Sequence, residues 1–210
     1  MGTTLLSFAE ETQRIPDVYF QAVGSGTGAI AAWENAQRLE ADGRFGSNNM
    51  RVYVAQNAPF TLIADSWKAG SRELVSLSPE VGRRNAEMVL AKVLANRKPP
   101  YSLAGGLYDV LTASNGACLT CSNDELLYSM LLFRNLEGYD LLPAACCAVS
   151  SLINAVHSGL VKKDEFIMLN CTGGGSMASM SMGYKLKEPD LIVSPDVDED
   201  ELIRDVNRLF

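Results

Sequence analysis

The chain has 210 residues, 18 of them Lys or Arg and 25 Asp or Glu, for a formal net charge of −7 and a sequence isoelectric point of ≈ 4.8. With 47% hydrophobic and 20% charged residues it has an ordinary globular make-up and is long enough to bury its own core. The acidity argues against nucleic acid as a partner, no apolar run approaches the roughly 20 residues that cross a bilayer, and a single histidine, His157, excludes any mechanism needing two imidazoles.

Met1 to Gln13 carries neither a basic start nor a long apolar block, so a cytoplasmic chain with five reduced cysteines is expected. Apolar runs alternate with amphipathic stretches, which predicts an α/β fold: a three-layer parallel sheet with helices on both faces. No repeat or domain linker interrupts the pattern, so residues 1–210 read as a single region. A first strand is predicted over Val18–Val23, then the turn Gly24-Ser25-Gly26-Thr27-Gly28, then a helix from Ala29 to Leu39 that Asp42-Gly43 ends. Arg51–Gln56 reads as a second strand, and Pro59 opens a short helix that stops near Gly70. A helix is expected over Arg83–Asn96. Pro99-Pro100 and Gly105-Gly106 mark the stretch up to Cys121 as a long loop, and its 101–116 part suits either a substrate loop or an oligomer contact.

Ser122-Asn123-Asp124-Glu125 has capping-box spacing, so a helix follows to Leu136 and Gly138 stops it. Leu141-Leu142 is a candidate short strand, and Pro143 suits the first turn of a helix through Val156. Glu165–Leu169 reads as the last strand. An acidic run from Asp196 to Glu201 begins a terminal helix whose apolar stripe is Leu202, Ile203, Val206, Leu209 and Phe210.

A strand, a glycine turn and a helix in succession form a phosphate-binding arrangement. Backbone N–H groups point at the anion, the helix N-terminus adds partial positive charge, and absent side chains let the anion approach. The same residues also serve a plain strand-to-helix turn. Gly24-x-Gly26-x-x-Ala29 fits the dinucleotide fingerprint, but the second strand ends at Gln56-Asn57, with no carboxylate to hold a ribose. No lysine follows the last glycine, which excludes a Walker A loop. Cys118-x-x-Cys121 lacks a second pair at metal-ligand spacing, so no metal is expected; Cys146-Cys147 suit a buried helix, and His157 a helix C-terminus.

Ile167-Met168-Leu169 runs into Asn170-Cys171-Thr172-Gly173-Gly174-Gly175, a second strand-to-glycine turn. Together with Gly24–Gly28 and the stretches 17–33 and 50–60, it resembles the C-terminal half of pyridoxal-phosphate enzymes of the tryptophan-synthase-β fold type, on the threonine-synthase-like branch. The resemblance implies the large-domain half of that fold, with pyridoxal 5'-phosphate as cofactor. It implies Gly24, Ser25, Gly26, Thr27 and Gly28 around the cofactor phosphate and the Thr172 hydroxyl on the pyridine nitrogen. A hydroxyl cannot hold a pyridinium charge as a carboxylate would, which suits prompt loss of a β-substituent over a long-lived carbanion.

The implied reaction is β-replacement on an O-phosphorylated amino acid, O-phosphoserine, with sulfite as nucleophile, and the complete enzyme would be a homo-oligomer. A threonine-synthase-like lyase, a nucleotide-binding oxidoreductase module and a non-catalytic remnant are the alternatives. The chain departs from the family pattern in two places. Gly174 stands where members more often carry histidine. Ser66-Trp67-Lys68 has the Ser-x-Lys spacing of the family's Schiff-base lysine but falls in the short helix after Pro59, and none of Lys68, Lys92, Lys98, Lys162, Lys163, Lys185 and Lys187 directly follows a strand in the place that lysine takes. That lysine is therefore expected in an absent N-terminal half, and the chain alone is expected to be inactive.

Overall fold

In β1 (Val18–Ala22), Val18 and Phe20 face one side of the sheet and Tyr19 the other, and all three are fully buried. A strand covered on both faces can be apolar throughout, as in a parallel sheet between helical layers. The computed structural model describes residues 2–185, 187–194 and 196–210. After α1 (Thr3–Thr12) and β1 come α2 (Thr27–Asp42), β2 (Arg51–Asn57), α3 (Leu62–Lys68), α4 (Pro79–Met88), a 3-10 turn at Lys92–Leu94, α5 (Leu107–Ala113) and β3 (Ala117–Cys121). They are followed by α6 (Asn123–Glu137), α7 (Pro143–His157), β4 (Ile167–Leu169), α8 (Ser176–Ser181) and α9 (Glu199–Asn207).

The strands form one parallel sheet in the order β3-β2-β1-β4. One face packs on Leu5 and Ala9 of α1, Ala29, Ala32 and Ala36 of α2, and Leu107 and Leu111 of α5. The other face receives α7, whose Cys146, Cys147 and Ala148 lie against Ala22 and Ala55, with Leu126 of α6 beside them. Small side chains on α7 let the helix approach the sheet closely. Phe20 and Tyr53, partners in the β1–β2 register, meet edge to face with centroids 5.2 Å apart. The expected three-layer architecture is therefore present.

Several local expectations need correction. The stretch 99–121, read as a loop, contains α5 and the edge strand β3. Its Pro99-Pro100 and Gly105-Gly106 signals are real but precede the helix, which opens after Gly106. The helix expected over Arg83–Asn96 starts earlier, with Ser78 Oγ accepting from Val81 N at 3.3 Å, and ends at Met88 before extended backbone at Val89. Leu141-Leu142 is no strand: Leu141 makes a single antiparallel bridge to Gly174. The capping box at Ser122 forms as expected, Ser122 N donating to Glu125 Oε2 at 2.7 Å and Glu125 N to Ser122 Oγ at 3.2 Å.

The chain divides into two compact units, residues 1–176 and 177–210. The sheet belongs to the first. In the second, α9 is capped by Asp198, which accepts from Glu201 N at 2.9 Å, and its first turn holds Glu199, Asp200 and Glu201. The apolar stripe foreseen there stands largely exposed at Ile203, Val206, Leu209 and Phe210.

Sheet order positions the site. The chain leaves β1 for β2 and β3 on one side, while β4 pairs with the opposite edge of β1. Connections thus diverge between β1 and β4, and a crevice opens at the carboxyl ends of these two strands, where open α/β sheets hold ligands.

Candidate functional site

A cavity of about 430 Å³ occupies that crevice. It is lined by Gly24, Ser25, Gly26, Thr27 and Gly28 from the turn after β1 and by Asn170, Cys171 and Thr172 from the turn after β4. The structure thus brings Gly24–Gly28 and Thr172 to one cavity, whereas Gly173, Gly174 and Gly175 of the second turn do not line it. His157, Cys118, Cys121 and the 101–116 stretch do not line this cavity, and neither does any of the seven lysines, all of them exposed.

Gly26 is the N-cap of α2 and adopts φ +83°, the left-handed region that favours glycine. A Cβ there would also stand 2.7 Å from Cδ2 of Leu107. At Gly28 a Cβ would meet Nε2 of Gln21 at 2.6 Å. The left-handed backbone thus favours glycine at Gly26, while a side chain at Gly28 would displace the end of Gln21, which itself lines the cavity.

The first N–H groups of α2 have no intrahelical carbonyl partner. Ser25 and Thr27 place their hydroxyl oxygens 3.0 Å apart, and no acidic residue sits in the first turn of α2 to compete for its positive end. The cavity presents N–H groups, hydroxyls and carboxamides, and no carboxylate lines it. That donor set suits the phosphate of a monoester. The structure therefore passes the test that a phosphate-bearing cofactor sets.

Gln21 and Asn170 line the cavity and are joined through Tyr19, which does not line it; no site role is expected for any of the three from the sequence. Asn170 Nδ2 donates to the Tyr19 hydroxyl at 2.7 Å and to Gln21 Oε1 at 3.3 Å, and the Tyr19 hydroxyl itself bonds Gln21 Oε1. This network ties β1 to the turn after β4. Burial pushes the Tyr19 phenol up to about 12, against the opposing pull of the Asn170 hydrogen bond, so the hydroxyl stays protonated as a donor. The available signal was polar residues, Gln21 and Asn170, at the ends of otherwise apolar strands.

The glycines of the second turn have a packing reason. A Cβ on Gly174 would stand 2.4 Å from the Asp140 carbonyl oxygen, and Leu142 N donates to the Gly173 carbonyl at 3.0 Å. No larger residue fits at Gly174 without moving the link between α6 and α7.

Residues 1–173 match the family described as "Pyridoxal-phosphate dependent enzyme". The chain belongs to this family. A protein of Methanosarcina acetivorans named cysteate synthase is 44% identical over 209 residues, covering 96% of this chain and 49% of its own. One of the same name from Methanoculleus marisnigri is 49% identical over 179 residues, covering 83% of this chain and 41% of its own. The chain thus spans about half the length of the curated relatives it matches. Among solved structures, the processed form of threonine deaminase isoform 2 from Solanum lycopersicum aligns with a TM-score of 0.61 at 13% identity, over 86% of this chain and 47% of that one.

Family membership makes pyridoxal phosphate the cofactor of this pyridoxal-phosphate-dependent chain. The dinucleotide alternative is not favoured. Gln56 and Asn57, where a ribose-binding acid would stand, are committed inside the fold. Gln56 Oε1 accepts from Ile63 N at 2.9 Å and Ala64 N at 3.1 Å, while Asn57 Oδ1 accepts from Leu90 N and Ala91 N, both at 3.1 Å.

Proposed function

We propose that this chain supplies the phosphate cradle and the ring-nitrogen partner of a cysteate synthase, which converts O-phosphoserine and sulfite to L-cysteate and phosphate on the way to coenzyme M. The convergence of the turns after β1 and β4 on one donor-lined, lysine-free cavity carries this reading. The substrates are those the family resemblance implies.

In this reading Gly24–Gly28 and the N-terminus of α2 hold the cofactor phosphate, with the Ser25 and Thr27 hydroxyls as further donors. Thr172 offers its hydroxyl to the pyridine nitrogen, and the Tyr19–Gln21–Asn170 network fixes the spacing of the two turns. When bound, pyridoxal phosphate withdraws electrons from the amino-acid α carbon. A neutral hydroxyl partner limits that withdrawal and favours loss of the β-phosphate over prolonged carbanion chemistry. The lysine that carries the cofactor belongs to a polypeptide half that this chain does not supply, so residues 1–210 work as one cofactor-binding region that needs a complement. The small-molecule substrates, a homo-oligomeric holoenzyme and a reducing cytoplasm belong to the same reading.

The test is an assay of cysteate and phosphate formation from O-phosphoserine and sulfite with pyridoxal phosphate. The chain is assayed alone and mixed with the N-terminal half of the Methanosarcina acetivorans relative. The expected outcome is no cysteate alone and cysteate on complementation. Turnover of O-phosphohomoserine without use of sulfite would overturn the reading in favour of a threonine-synthase-like reaction.

A further inference from the structure

The charge distribution of this acidic chain has one anomaly outside the Gly24–Gly28 cavity. Gly82, Arg83 and Glu87 of α4, with Lys92 and Arg97, line a second cavity of about 340 Å³. Three cations and one carboxylate face it in a chain of net charge −7. Arg83, Lys92 and Arg97 make no ion pair among the described residues, whereas Arg14, Arg38, Arg44, Arg51 and Arg72 each hold a carboxylate.

Cations gathered round a concavity without partners raise its positive potential, and an entering anion relieves their mutual repulsion. The cavity is a concavity of the surface: Gly82 is buried at its base, the exposed Arg83, Lys92 and Arg97 rim it, and Cδ of Arg97 lies along α4, 3.4 Å from where a Gly82 Cβ would stand. Lys92 opens the 3-10 turn whose Leu94 packs on Gly24. No aromatic ring lines the cavity to stack a nucleobase, and its volume is at the small end for ligand pockets.

We infer that the Arg83–Lys92–Arg97 cavity is an anion subsite that takes a small, doubly charged inorganic oxyanion of the sulfite or phosphate kind. The site stands on its charges and shape. Its place in the reaction, as a station for the entering sulfite or the departing phosphate, rests on the function proposed above.

Titration of the purified chain with sodium sulfite and separately with sodium phosphate, at constant ionic strength, tests it through the NMR shifts of its backbone amides. Saturable shifts over residues 82–97 are expected with at least one anion. Response to sulfite alone assigns the site to the nucleophile, to phosphate alone to the leaving group, and to both to a shared station. Arg97→Gln should weaken that response roughly tenfold, and Glu87→Gln should strengthen it. Arg84→Gln changes the net charge equally but does not line the cavity, so it should leave the affinity within about twofold. Absence of saturable shifts over 82–97, or equal weakening by Arg84→Gln and Arg97→Gln, overturns the subsite. Amides 24–28 report the cofactor cradle separately, so loss of response there alone counts against the proposed function and leaves the subsite standing.

Discussion

The backbone of Leu94 lies against Gly24 so closely that a Cβ on Gly24 would stand 3.2 Å from the Leu94 Cα and carbonyl oxygen. The first residue of the cradle and the turn carrying Lys92 are thus one packed unit. Gly24→Ala must displace that turn, at a cost of about 1–3 kcal/mol. Gly26→Ala adds a left-handed backbone to a contact with Leu107 and should cost more. Urea unfolding of the two variants checks the order.

Asn57 links four segments: its Nδ2 donates to the Cys121 carbonyl at 3.2 Å and to Asn123 Oδ1 at 3.1 Å, while its Oδ1 accepts from Leu90 N and Ala91 N. Asn57→Ala leaves the buried Ala91 N–H without a partner, while Leu90 N keeps Asn123 Oδ1 and the Cys121 carbonyl keeps Ala58 N, and it should destabilise by about 1–3 kcal/mol. It should also loosen the 90–94 segment behind Gly24. Hydrogen exchange at Ala91 should quicken by more than the global loss of stability accounts for, and by more than at Leu90, which keeps its bond to Asn123 Oδ1.

Parts of this arrangement are legible in the sequence. Val18–Ala22 and Arg51–Asn57 each carry an apolar run of strand length, and the glycine turn between the first of them and α2 announces an anion site. The turn after β4 is legible as a partner only through family resemblance, because nothing local says that β4 pairs with β1. The strand β3 was hidden because Ala117-Cys118-Leu119-Thr120-Cys121 is short and made of small residues, behind strong loop signals. The helix α1 was passed over, although Leu5 and Ala9 bury one of its faces. The Tyr19–Gln21–Asn170 network depends on strand register, which periodicity does not supply.

Glu125 should shape the acid limb of stability. The Ser122 N–H, then the Asn154 carboxamide, hold its carboxyl below the usual carboxylate range. A carboxylate with a depressed folded pKa stabilises the fold above its unfolded pKa and loses that contribution as pH falls through the folded value. Stability should therefore decline below about pH 5, and Glu125→Gln should flatten that decline. Thermal unfolding of both proteins between roughly pH 3 and 7 measures the difference.

Thiol reactivity should separate the cysteines. Cys121 and Cys147 are buried with their sulfurs 3.3 Å apart, and burial pushes the Cys146 thiol up to about 12, so these three should react only on unfolding. Cys171 is exposed and should be the first to be alkylated. Mass mapping after a brief iodoacetamide pulse reads the order.

The central claim is that the Gly24–Gly28 turn and the turn after β4 together hold the cofactor through its phosphate. Cys171 lines that cavity beside Thr172 and serves as its reporter. The alkylation rate of Cys171 is measured with pyridoxamine 5'-phosphate and with pyridoxamine, neither of which condenses with surface lysines. The account predicts slowing by the phosphorylated compound only, and loss of that slowing in Gly26→Ala measured under conditions where the variant is folded. Equal rates with both compounds in the unsubstituted chain would contradict it.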